Sequence, residues 1–196
     1  MVKNAVPEYM DLLDAQREAV FAALDSLREE QIWQRPAPEE WCIGEIVSHS
    51  VRFLDSFMPA LQFTWRLLGW YGRLRRNRPY SVEIENVYQR PNFPMWAGFL
   101  WKPRHNPEKP VTLAALKAEV EATHSQIRAF YTGKDPEVLG NIHAYDPAIG
   151  VVNLITGLKV CIDHDQLHYD DVAKLAAFLQ PGEDHKSAKT DDHGKN

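Results

Sequence analysis

His164 and His168 stand four residues apart in a 196-residue chain, inside a stretch whose apolar residues recur at helical intervals. An α-helix turns about 100° per residue, so residues four apart share a face, one turn apart. That spacing lets two imidazoles reach one metal ion. A helical projection gathers Asn153, Gly157, Cys161, His164, His168, Asp171 and Leu175 on one side, and Cys161 and Leu175 mark that side as inward. The pair alone fits two solvent-facing or hydrogen-bonded rings equally well. His49 shifts the balance. It lies between Ile46 and Phe53 in a second periodic segment, and helix bundles build metal sites from inward side chains on facing helices.

Three neutral imidazoles leave at least one position open on a divalent ion, as in catalytic rather than closed structural sites. Water can bind there and lose a proton more easily, or a thiolate can bind directly. Zinc, nickel, iron and manganese all remain open as the single cofactor ion, because imidazole discriminates poorly among such metals. Glu45 precedes His49 by four residues, and Asp171 follows His168 by three. Each can orient a ligand ring, act as a base or supply a fourth ligand; each can equally be an ordinary surface charge, Glu45 favoured by its place near a helix start. Cys42 and Cys161 share faces with the histidines, but buried inert cysteines are commoner than thiolate ligands.

Four helices must position these groups. The first is expected from Val6 to Gln34, with Pro7 in its first turn and Pro36 and Pro38 beyond it. The second is expected from Glu39 or Glu40 to Gly69, bent or interrupted at Pro59. Thr112 is the expected N-cap of the third, which ends near Gly133 and Pro136. The fourth is expected from Ala148 to Phe178, and a polar tail from 183 to 196 is expected to be disordered. No strand pair is expected. The prediction is an all-α four-helix bundle in one domain, residues 1–182, with a long crossover between its second and third helices.

The run Trp41-Cys42-Ile43-Gly44-Glu45-Ile46-Val47-Ser48-His49 resembles the first motif of the DinB-like (DinB/YfiT) family, a tryptophan and a Gly-Glu-Ile ahead of a histidine. His164-Asp165-Gln166-Leu167-His168 is similar to the second motif, a histidine pair on the last helix, and Asp146 to Gly150 resembles the approach to it. The resemblance spans about residues 8 to 178. It implies an up-down-down-up bundle, often dimeric, with a metal at one end held by His49, His164 and His168. It also implies activities of thiol-dependent transfer or isomerisation, or of metal-dependent hydrolysis. Cys42 stands where the family commonly has Ser or Thr, and the crossover is longer and more aromatic than usual.

Composition narrows the field. A net charge of -5 gives no general reason to expect nucleic acid. Two cysteines make no disulfide framework. No signal sequence or membrane span is legible, so a cytoplasmic protein without a membrane partner is expected. Between 66 and 109, nine Lys or Arg against three Glu interleave with aromatic residues including Trp70, Tyr88, Trp96, Phe99 and Trp101. The expected role is a lid over the metal or a dimer contact, with the positive charge suited to an anionic small-molecule substrate such as a thiol. Two readings follow: a metal-dependent transferase or hydrolase, or a metal- or ligand-binding protein without turnover. No nucleotide-binding glycine loop and no nucleophile elbow occurs.

Overall fold

The computed structural model describes residues 5–94, 100–146 and 148–180, and the tail expected from 183 lies outside them. The described chain is mostly helical. Its elements are α1 (Val6–Asp25), α2 (Glu29–Ile32), α3 (Ile43–Leu74), α4 (Leu113–Tyr131), α5 (Pro136–Gly140), β1 (His143–Asp146), β2 (Gly150–Asn153) and α6 (Leu154–Leu179), with a 3-10 turn at Val87–Gln89 in the crossover. The four long helices, α1, α3, α4 and α6, pack in a ring: α1 against α6 and α4, and α3 against the same two.

Two apolar clusters fill the interior. One gathers Leu13 of α1, Leu54 and Leu61 of α3, Ile127 of α4 and Leu158 of α6. The other gathers Leu24, Val47, Val120 and Val172 of the same helices, with Ile32 of α2. Helices α1 and α6 therefore run from the first cluster to the second, and α3 and α4 from the second to the first. Where the clusters meet, every long helix turns a polar residue inward: Gln16 on α1, His49 and Ser50 on α3, Thr123 and His124 on α4, and His164 and Asp165 on α6, each buried.

The boundaries correct the sequence reading in four places. The expected first helix breaks after Asp25, where the Ser26 amide and hydroxyl both turn back to the Ala23 carbonyl. The turn lets Leu27 and Ile32 both enter the second cluster. Helix α3 runs uninterrupted through Pro59 and past Gly69. Pro59 faces solvent while Met58 and Leu61 are buried, so packing on both sides of it outweighs the lost backbone bond. Gly72 serves close packing instead of ending the helix, since a Cβ there would lie 2.7 Å from the Ile142 side chain.

The fourth correction is a hairpin, where no strand pair was expected. β1 and β2 pair antiparallel from His143↔Asn153 to Asp146↔Gly150. Asn153 then caps α6 by accepting from the Ile155 and Thr156 amides at 2.9 and 2.8 Å, so the helix starts at Leu154 rather than at 148. The expected cap Thr112 does begin α4, accepting from the Ala115 amide at 3.2 Å. No helix among the described residues is long and apolar enough to cross a membrane.

The start of α3 explains the residues of the first motif. Glu45 reaches back to the Cys42 amide at 3.1 Å, half of a capping box. A Cβ on Gly44 would meet the Trp33 ring at 2.5 Å, and that ring is pinned by its indole N–H on the Val111 carbonyl at 3.1 Å. Gly44→Ala is therefore expected to lower stability by up to about 2 kcal/mol net, the overpacking cost of about 1–3 kcal/mol exceeding the ~1 kcal/mol helix-propensity gain. Urea unfolding checks this, and an unchanged or higher midpoint would contradict it.

Candidate metal centre

His49 on α3 and His164 and His168 on α6 come together. Each offers one ring nitrogen, and these three atoms lie within 4.8 Å of one another. The ring centroids are 5.3 Å apart for His49 and His164, 4.7 Å for His49 and His168, and 4.5 Å for His164 and His168. His49 and His164 are buried, and His168 is half-buried. The group lies beside the polar layer, with His49 in the second turn of α3 and His164 and His168 mid-way along α6.

Neighbours fix the two buried rings. His49 Nδ1 lies 2.6 Å from the Trp101 carbonyl, so that nitrogen carries the proton and Nε2 keeps its lone pair. Trp41 packs against the same ring, with centroids 5.0 Å apart. Phe53 stacks on His164 at 3.8 Å and 17°, and Tyr88 meets that ring edge-on at 5.6 Å. Burial holds His49 well below the ordinary imidazole range, at about 4. Burial, aided by the nearness of His164 and His49, takes His168 to about 3. Both rings are neutral at pH 7, the form in which imidazole binds a metal. The donor set thus fits a divalent ion: its nitrogens converge, His49 and His168 are neutral, and His49 is backed by an acceptor.

The two carboxylates singled out in the sequence lie outside the group of three. Both oxygens of Glu45 are engaged, by Arg35 at 2.5 and 3.0 Å and by the Cys42 amide. Burial pushes this carboxyl up, but Arg35 and Cys42 outweigh it and hold it below the usual range. Asp171 pairs with Lys174 at 2.9 Å near the surface. With Trp41, Ile46, His168, Lys174 and Leu175, it lines an open cleft of about 460 Å³. Cys42 is buried, which raises its thiol to about 12, and Cys161 is pushed well above the ordinary thiol range by full burial. Both are inert thiols at neutral pH.

The crossover covers the site with aromatic rings and backbone, not with positive charge. Trp101 and Tyr88 contact the histidines, while Arg104 pairs with Asp55 at 2.7 Å and Arg76 with Asp135 at 3.4 Å. The cleft beside His168 is lined by Glu39, Glu40 and Asp171 against Lys174. Trp96 and Phe99 lie outside the described residues.

Asp165 and His124 escaped the sequence reading. Asp165 is fully buried beside His164, whose Nδ1 lies 3.5 Å from Oδ1. The Ser50 hydroxyl donates to the same oxygen. His124 Nε2 lies 3.4 Å from Oδ2, long for a hydrogen bond. Burial pushes the Asp165 carboxyl up, yet His124 and His164 hold it below its ordinary value. A signal was present: His124 falls four residues after Val120 and three before Ile127, on the buried phase of its helix.

A mostly helical fold with three convergent histidines on two facing helices defines the class, a helical protein with a group that could hold a metal ion. The model of the DinB superfamily matches residues 12–172. The chain belongs to that superfamily. Neither the curated proteins nor the solved structures contain a match.

Proposed function

We propose that His49, His164 and His168 hold one divalent ion and that the protein is a metal-dependent enzyme of the thiol-transferase or hydrolase kind. The carrying observation is the convergence of three imidazole nitrogens within 4.8 Å, with burial keeping His49 and His168 neutral. Helix directions support the up-down-down-up bundle named by the resemblance. An ion held by three protein ligands supplies a Lewis acid and an open position for water or a thiolate.

The surrounding side chains would do the rest. The Trp101 carbonyl orients His49, and Phe53 shields His164 from water. The cleft reaches the histidines at His168, the least buried of the three. Trp41, Ile46 and Leu175 offer a small substrate an apolar wall. Asp171, one turn beyond His168 on α6 and on that wall with Glu39 and Glu40, is the carboxylate we assign to take a substrate proton, while Glu45 secures the start of α3. Enclosure of His49 and His164 favours the rival reading, binding without turnover; the cleft at His168 favours catalysis. A homodimer remains the expected assembly. Exposed Phe63, Leu67, Trp70 and Leu74 on α3 support a second copy as partner.

Elemental mass spectrometry of the purified, untagged protein tests the metal site. Near one equivalent of zinc, nickel, iron or manganese is expected, dropping below about a tenth in His49→Ala and His168→Ala, since each removes one of three ligands. A parent that neither carries metal nor takes any up on addition would leave the histidines as core side chains.

A further inference from the structure

We propose that Asp165, held by Ser50 and His124, is the positioning residue of the centre: it sets the tautomer and in-plane angle of His164. Through it α4, which supplies none of the three histidines, governs affinity for the ion. This rests on the reading of the three histidines as ligands.

Asp165 has 0% exposure, and a buried carboxylate is costly unless its oxygens are engaged. No Lys or Arg is paired with it among the described residues. Its Oδ1 accepts from the Ser50 hydroxyl and lies 3.5 Å from His164 Nδ1, while Oδ2 accepts no hydrogen bond from the described residues and stands 3.4 Å from His124 Nε2. Ser50 comes from α3 and His124 from α4, so three helices meet on one carboxyl group.

A carboxylate only accepts. Facing His164 Nδ1, it requires the proton on that nitrogen and leaves the Nε2 lone pair for the space shared with His49 and His168. Phe53, stacked at 17°, already restricts the plane of the ring. What remains is rotation within that plane, which the Asp165 carboxylate, with Oδ1 3.5 Å from Nδ1, biases by attraction of charge for the N–H rather than by a short hydrogen bond. The carboxylate also places one negative charge behind a set of three neutral ligands, where a dication in a low-dielectric interior benefits from it. Neither buried ring nitrogen of His124 has a hydrogen-bond partner among the described residues, and Asp165 Oδ2, 3.4 Å from Nε2, is the carboxylate within ion-pair reach. Positioning Asp165 gives this otherwise unengaged ring a role.

The test compares the parent with Asp165→Asn, which keeps the shape but lets an amide N–H face the ring, and with Ser50→Ala. Zinc affinity is measured by chelator competition, and the cobalt-loaded visible spectrum reports ligand geometry. Nitrogen-15 NMR of the metal-free proteins reads the His164 tautomer, which a merely structural role would not move. The parent is expected to carry the His164 proton on Nδ1. Asp165→Asn is expected to show mixed tautomers, an altered cobalt spectrum and zinc affinity lower by about 10–100-fold. Ser50→Ala is expected to move in the same direction by less. A zinc-binding parent whose Asp165→Asn variant binds equally tightly overturns the proposal alone, as does a parent His164 protonated on Nε2. A parent that takes up no zinc overturns the metal reading itself, and the proposal with it.

Discussion

Saturating zinc is expected to stabilise the metal-free protein by about 4 kcal/mol when free zinc stands a thousandfold above its dissociation constant. For a chain of this length that is roughly 10 °C in melting temperature. The effect is large because the three histidines come from two helices. His49 sits in the second turn of α3, and His164 and His168 sit mid-way along α6, so an ion joining them must be released before the two helices separate. Differential scanning calorimetry with and without zinc measures the shift. His168→Ala is the control, because its side chain is the most exposed of the three and its loss disturbs the core least. A shift of the same size in that variant would place the zinc elsewhere.

Acidification should do the reverse to the metal-free protein. His49 titrates at about 4 and His168 at about 3 in the fold, against about 6.5 when unfolded. Below pH 6.5 the unfolded chain binds protons that the folded chain refuses, so stability rises with pH and falls on acidification. The stabilisation is complete above about pH 6.5. It is lost as the pH falls, through about 4 for His49 and about 3 for His168. Each ring contributes about 1.4 kcal/mol per pH unit within its window, so a drop from pH 7.5 to 4.5 should remove on the order of 3–5 kcal/mol. Urea unfolding at several pH values in the presence of a chelator measures this. The double variant His49→Asn, His168→Asn should lose most of the slope between pH 6.5 and 4.5. If its slope matches that of the parent, the two rings are not the buried neutral groups described.

The histidine pair was legible because its spacing is a property of one helix, and the whole of that helix carries an apolar period. His49 was legible because its neighbours Ile46 and Phe53 share its phase. The role of Glu45 was not, since Arg35, ten residues upstream, claims its carboxylate from a loop with no period to read. Asp165 and His124 were passed over for a different reason. Each looks unremarkable on its own helix, and their meaning lies in contacts across α3, α4 and α6. The hairpin left little trace because its strands are four residues long, with Tyr145 and Val151 exposed. It is held by backbone pairing, which leaves no side-chain pattern in the sequence. Pro59 misled because the proline rule is local, and burial on either side of it is not.

The polar layer between the two apolar clusters has a consequence for alignment. Apolar stripes on four helices interlock almost as well after one helix slips by a turn, about 5.4 Å. With Gln16, Ser50, His124 and Asp165 at one level, such a slip would drive a carboxylate into hydrocarbon and strand the hydroxyl and imidazole that face it. The layer therefore acts as a key that admits one axial setting of the helices, much as a single buried asparagine sets register in coiled coils. Filling it with leucine would be expected to yield a protein that still collapses and resists denaturant, yet no longer knows at what height its helices should meet.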